Sequence, residues 1–96
     1  MIELRFEWDP RKARGNQEKH GVSFEEAQSV FLDEQALLAD DPSHSLDEER
    51  FILLGLSVSL RLVVVIHAIR RRDVIRIISA RKANRLETIE YQTRLR

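Results

Sequence analysis

The chain has ninety-six residues, 43% hydrophobic and 33% charged. That is the material of one small domain, expected to span residues 1–96 with a modest core. It has no cysteine, which excludes disulfide staples, thiolate nucleophiles and cysteine-ligated zinc or iron–sulfur centres. The net charge of zero hides a segregation. Residues 1–50 carry 6 basic and 13 acidic side chains, residues 51–96 carry 10 and 3, and 13 of the 16 cations are arginine. Either the halves pair with each other in the fold, or the arginine-rich half serves an anionic partner, for which the planar guanidinium is well suited.

Residues 2–8 alternate, with Ile2, Leu4, Phe6 and Trp8 on one side and Glu3, Arg5 and Glu7 on the other, which predicts a strand with one buried face. Asp9-Pro10 is an N-cap followed by a proline at the first helical position. A polar surface helix is therefore expected from Pro10 to about His20, closed by Gly21. Ser23-Phe24-Glu25-Glu26 reads as a capping box, with Ser23 accepting from the Glu26 N–H and Glu26 reaching back to the Ser23 N–H. Phe24, Ala27, Val30 and Phe31 give that second helix its core face. A short strand over residues 35–39 runs into the turn formers Asp40-Asp41-Pro42-Ser43.

The second half reads as a meander, with strands over residues 50–56, 60–69 and 74–79. The middle run is apolar on both faces, as a central strand would be. It is interrupted by Arg61 and His67 and is too short to span a bilayer. From Ser79 or Ala80 the pattern turns helical through Tyr91. The order β-α-α-β-β-β-β-α, with two early helices on a mostly antiparallel sheet and a closing helix, is an α+β architecture. Met1–Arg5 lacks the basic and apolar pattern of a signal peptide, and a cytoplasmic location is expected.

Several residues could carry chemistry. Lys19-His20-Gly21 places a group titrating near neutrality beside a cation, although Lys-His-Gly is also an ordinary helix ending. Arg50, Arg70, Arg76, Arg81, Lys82 and Arg85 form a basic set on the meander and closing helix. Arg76 sits among Val74, Ile75, Ile77 and Ile78, where a guanidinium either meets a carboxylate, lines a surface for an anion or snorkels to the sheet edge. Arg81 and Lys82 are expected to open the last helix, where an anion would satisfy both side chains and the free N–H groups. Glu87 and Tyr91, four apart, either offer an acid and a phenol to a bound strand or serve neutralisation and packing. His67 is either a core residue or a catalytic one, and His44 falls in a polar turn. The three histidines lack ligand spacing, so no metal is expected. With no glycine-rich phosphate loop, no nucleotide cofactor is expected either.

These segments resemble the BrnT family, the toxin half of BrnT/BrnA toxin–antitoxin pairs. The likeness is carried by Phe6-Glu7-Trp8-Asp9-Pro10 with Lys12, Ala13 and Asn16, then residues 19–27, Asp41 with His44, Glu49-Arg50 and Gly55. It continues through Val63-Val64-Val65 to Arg70, then residues 75–83, Glu87 and Tyr91. Leu86 stands where the family is often basic. The resemblance implies a RelE-like α+β domain acting as a metal-independent endoribonuclease that arrests translation. It also implies neutralisation by a BrnA-like ribbon-helix-helix antitoxin in a heterotetramer, with operator DNA reached only through that antitoxin. On this reading Lys19 and His20 move protons, and Arg70, Arg76 and Arg81 stabilise charge on the phosphoryl oxygens. Arg50, Lys82, Arg85, Glu87 and Tyr91 contact RNA, with Glu49 or Glu87 as the alternative base. The competing expectation is a non-catalytic module that binds nucleic acid or antitoxin through the same basic face.

Overall fold

A computed structural model describes residues 4–43 and 48–94, so the expectations at Ile2, Glu3 and His44 lie outside the described residues. The elements follow the predicted order. They are β1 (Arg5–Glu7), α1 (Pro10–His20), α2 (Phe24–Ser29), a single 3-10 turn (Val30–Leu32), β2 (Leu37–Asp40), β3 (Arg50–Leu56), β4 (Leu62–Arg70), β5 (Val74–Lys82) and α3 (Arg85–Arg94). The sheet order is β1-β5-β4-β3-β2, antiparallel except for the β1–β5 pair. As its composition requires, β4 is central and covered on both faces.

The early helices form where the caps predict. The Asp9 carboxylate accepts from the Arg11 N–H, and Gly21 closes α1 in the left-handed conformation at φ 72°. Ser23 caps α2 through the Glu26 N–H, but the second half of the capping box does not form. The Glu26 carboxylate turns to Arg61, at 2.6 and 2.7 Å, and to the Ser57 hydroxyl at 2.7 Å, because a guanidinium is a stronger donor than an amide. Arg61 holds the Glu26 carboxyl below its ordinary value, with Ser57 assisting against the opposing effect of burial.

On this helix side Phe24, Ala27 and Val30 of the second helical segment pack on Val63, Val65, Ile75, Ile77 and Ala80 of the sheet. Fully burying a Phe or Val side chain stabilises by roughly 1.5–3 kcal/mol. Helix α1 is polar but not merely superficial. Its Asn16 is buried and lies beside the part of β5 that β1 is too short to cover. The Asn16 amide accepts from the Ala80 N–H at 3.1 Å and donates to the Ala80 and Val22 carbonyls at 2.8 and 2.9 Å. It thereby completes the ladder as a neighbouring strand would.

The closing helix starts later than predicted. Ala80, Arg81 and Lys82 pair with Val65, Val64 and Val63, so β5 runs to Lys82 and the helix begins at Arg85. The apolar length of β4 supplies a partner for each of these residues, and ladder bonds outweigh their helix propensity. The N-cap is Asn84, which accepts from the Glu87 N–H while Glu87 accepts from the Asn84 N–H, both at 2.8 Å.

Candidate functional site

A bulge in β5 sets the geometry. Ile66 pairs with Ser79 but His67 pairs with Ile77, leaving Ile78 as the extra residue. In an unbroken strand Arg76 and Arg81, five apart, would point to opposite faces. After the bulge they share one, because Arg76 lies opposite Ala68 and Arg81 opposite Val64, on the same side of β4. Arg50 joins them, also opposite Ala68. This is the side away from α1 and α2, whose floor is Leu54, Val64, Ile52 and Ile66 and part of which α3 covers through Tyr91.

Carboxylates organise the arginines in two groups. Toward one end Glu7 of β1 accepts from Arg76 at 3.1 Å and lies 4.0 Å from Arg70. Arg70 also donates to Glu48 at 2.8 Å, and the Glu48 carboxylate stands 3.9 Å from the Arg50 Nε, which itself has no hydrogen bond. The Arg76 side chain is 30% exposed and that of Glu7 37%, so water reaches the pair. Toward the other end Arg81 and Glu87 meet through two hydrogen bonds of 2.8 Å. Arg81 holds the Glu87 carboxyl below its ordinary value, and Glu87 raises Arg81 in turn. The groups are four β4 residues apart, ~13 Å at ~3.3 Å per residue. Ser79 lies between them, with no hydrogen-bond partner for its hydroxyl among the described residues.

The remaining sequence candidates go elsewhere. Lys19 and His20 stand at the C-terminus of α1, on the helix side. There the Gly21 carbonyl accepts from Arg61, and neither side chain has a polar partner among the described residues. Lys82, opposite Val63, points to the helix side with Glu26 as a charged neighbour, so Arg81 and Lys82 do not form an anion site at a helix N-terminus. Arg85 and Glu49 are exposed. Tyr91 is 6% exposed and gives its hydroxyl to Asp33 at 2.6 Å. His67 is a core residue, wedged edge-on against Phe31 at 4.8 Å, and burial lowers its pKa.

Sequence reasoning named Glu7 as an outward strand residue and as part of the Phe6–Pro10 motif, gave it no role in the site, and left out Glu48 and Asp33. Glu7 carried a signal, since it alternates with Phe6 and Trp8 on the polar face of a strand. Pairing across the sheet was not readable. Among the described residues no cluster of His, Asp and Glu could hold a metal ion. None of the described helices is long and apolar enough to cross a membrane.

Comparison with known families matches residues 8–87 to the model described as the ribonuclease toxin, BrnT, of type II toxin–antitoxin systems. Among solved structures, the 1.1 Å crystal structure of the Brucella abortus ribonuclease toxin BrnT is similar. Its TM-score is 0.66 at 22% identity, and the match covers 86% of this chain and 100% of that one. At that identity the likeness is one of fold. A search of curated protein sequences gives no match.

Proposed function

The chain belongs to the BrnT family of ribonuclease toxins of type II toxin–antitoxin systems, and on that premise we propose that it is a metal-independent endoribonuclease whose substrate strand lies across the arginine-bearing face of the sheet. In this reading the ribose 2′-oxygen attacks the adjacent phosphorus. The P–O5′ bond breaks, leaving a 2′,3′-cyclic phosphate and a 5′-hydroxyl. Arg76 stabilises the charge that builds on the phosphoryl oxygens, while Arg50, Arg70 and, toward the other end of the face, Arg81 hold neighbouring phosphates. An entering phosphate competes with Glu7 for Arg76 and frees a carboxylate next to the reacting centre, where it takes the 2′-hydroxyl proton. The leaving O5′ takes its proton from water on the open face. Lys19, His20 and Lys82, on the helix side, fall to RNA flanking the cut, as does Arg85.

The observation that carries this reading is the bulge at Ile78, which turns Arg76 and Arg81 onto one surface with an acid beside each. The test is cleavage of a mixed-sequence RNA in the presence of EDTA, with end-group analysis. Cyclic phosphate ends, lost in Glu7→Gln and in Arg76→Ala, are the expected result. Cleavage that requires added magnesium, or that survives both substitutions, contradicts it.

That every arginine on the face already has an acid partner favours a second reading, a module that binds RNA or antitoxin through this face without cutting. Reversible RNA binding with no cleavage product decides for that one. A type II family implies an antitoxin partner. The same proposal makes it a BrnA-like ribbon-helix-helix protein, bound in a heterotetramer and alone responsible for contact with operator DNA.

A further inference from the structure

Helix α3 rests on the sheet with little apolar contact. Among its described residues only Tyr91 is buried, over Leu54 and Val64. Two polar latches hold it instead. At its start, the Asn84 and Glu87 backbone N–H groups each donate to the other's side-chain oxygen, and Glu87 clamps Arg81. One turn on, the Tyr91 hydroxyl donates to Asp33 Oδ2 at 2.6 Å.

Asp33 is a fixed anchor. Its carboxylate also accepts from the Leu56 N–H at 2.8 Å and the Gln35 N–H at 2.9 Å. Beneath it Gly55 has no room for a side chain, since a Cβ there would stand 3.1 Å from Asp33 Oδ2 and 2.9 Å from both Val30 and Ala36. Burial raises the Asp33 carboxyl, yet these donors together hold it below its ordinary value. Tyr91 is pushed up to about 12 by burial and by Asp33. The latch thus keeps one ionised and one protonated partner throughout the neutral range.

Arg81 shows what the latches hold in place. Its Nη1 serves Glu87 and the Lys82 carbonyl, and its Nη2 gives one hydrogen to Glu87. The Nε–H and the second Nη2 hydrogen have no partner among the described residues and remain for an incoming anion.

We propose that Asp33 and Tyr91 are positioning residues for Arg81: Asp33 seats Tyr91, Tyr91 seats α3, and α3 delivers Glu87, which aims the guanidinium at the shared face. This rests on the reading that Arg81 meets an RNA phosphate. A rotated α3 would carry Glu87 with it, and Arg81 would lose the bidentate partner that fixes its plane.

The test uses a mixed-sequence 2′-O-methyl RNA decamer, which cannot be cut by its own 2′-oxygen, together with the ¹⁵N signal of the Arg81 Nε–H. Tyr91→Phe keeps the ring and removes the latch. It is expected to shift the Arg81 signal and weaken decamer binding roughly threefold, a fraction of the roughly tenfold loss in Arg81→Ala. In an Arg81→Ala background, Tyr91→Phe should change binding no further, because the residue it acts through is gone. Asp33→Asn, which leaves a weaker acceptor, should shift the same signal. An unmoved Arg81 signal in both variants, or equal weakening by Tyr91→Phe in both backgrounds, overturns the proposal. A moved signal with unchanged binding in Arg81→Ala upholds the latch and removes Arg81 from the RNA site.

Discussion

The two faces of this sheet use the same pairing chemistry to different ends. On the helix side Glu26 is 9% exposed and is tied to Arg61 and Ser57, with apolar side chains around it. Breaking that pair strands a charge away from water. On the α3 side Arg76 and Glu7 are about a third exposed, and Arg70 and Glu48 are 44% and 27% exposed. Their carboxylates regain water as soon as another anion takes the guanidinium, so exchange is cheap. Solvent access to the carboxylate, not residue type, separates a structural ion pair from one that can change partners.

The comparison is broken most directly at Arg76. Arg76→Ala should lower RNA cleavage about 10²–10³-fold, the usual loss for one charge-stabilising donor, while urea unfolding stays close to wild type. A folding defect with unchanged cleavage would make Arg76 structural after all. On the other face Asn16→Ala should cost about 3 kcal/mol in the same unfolding measurement. It leaves the Ala80 N–H and carbonyl buried without partners. Glu26→Ala comes next, at about 2 kcal/mol, reduced from the fully buried case because Arg61 can turn to water. Asn16→Ala should leave affinity for RNA unchanged at a temperature where it is folded.

The smallest effect is a pH dependence, and its sign follows from burial. His67 has a folded pKa below the ordinary 6.5, so the unfolded chain binds more protons. Its contribution is fully present above pH 6.5 and is lost as pH falls toward the lowered folded value. The stability of His67→Leu should therefore vary less across that window than that of the wild type. Identical slopes would mean that folding leaves the proton affinity of His67 unchanged, against a burial-lowered pKa.

Much of this was legible in the sequence, for local reasons. Asp9-Pro10, Gly21 and Ser23 each act within a turn, and all three helix boundaries they mark are met. The double-sided apolar run of β4 announced a central strand. What failed was non-local. Nothing between Ser79 and Lys82 states that β4 offers partners that far along, although Asn84-x-x-Glu87, the capping pattern of which only the Ser23 half forms at α2, marked the true start of α3 and forms there in full. The arginines were legible as a set, but their grouping was not. A one-residue bulge reverses strand parity, which put Arg81 on the face of Arg76 and sent Lys82 to the other. The acids that hold Arg76 and Arg70, Glu7 and Glu48, lie 69 and 22 residues away in the chain.

The central claim is that Arg76 and Arg81 share one surface for a polyanionic strand. Its most direct test is to follow the arginine Nε–H signals while the uncleavable RNA decamer is titrated in. Arg76 and Arg81 should shift together along one binding curve, while Arg61, held by the Glu26 carboxylate and the Gly21 carbonyl on the helix side, moves less. Shifts confined to Arg61 and its neighbours on the helix side, with Arg76 and Arg81 unmoved, would contradict it.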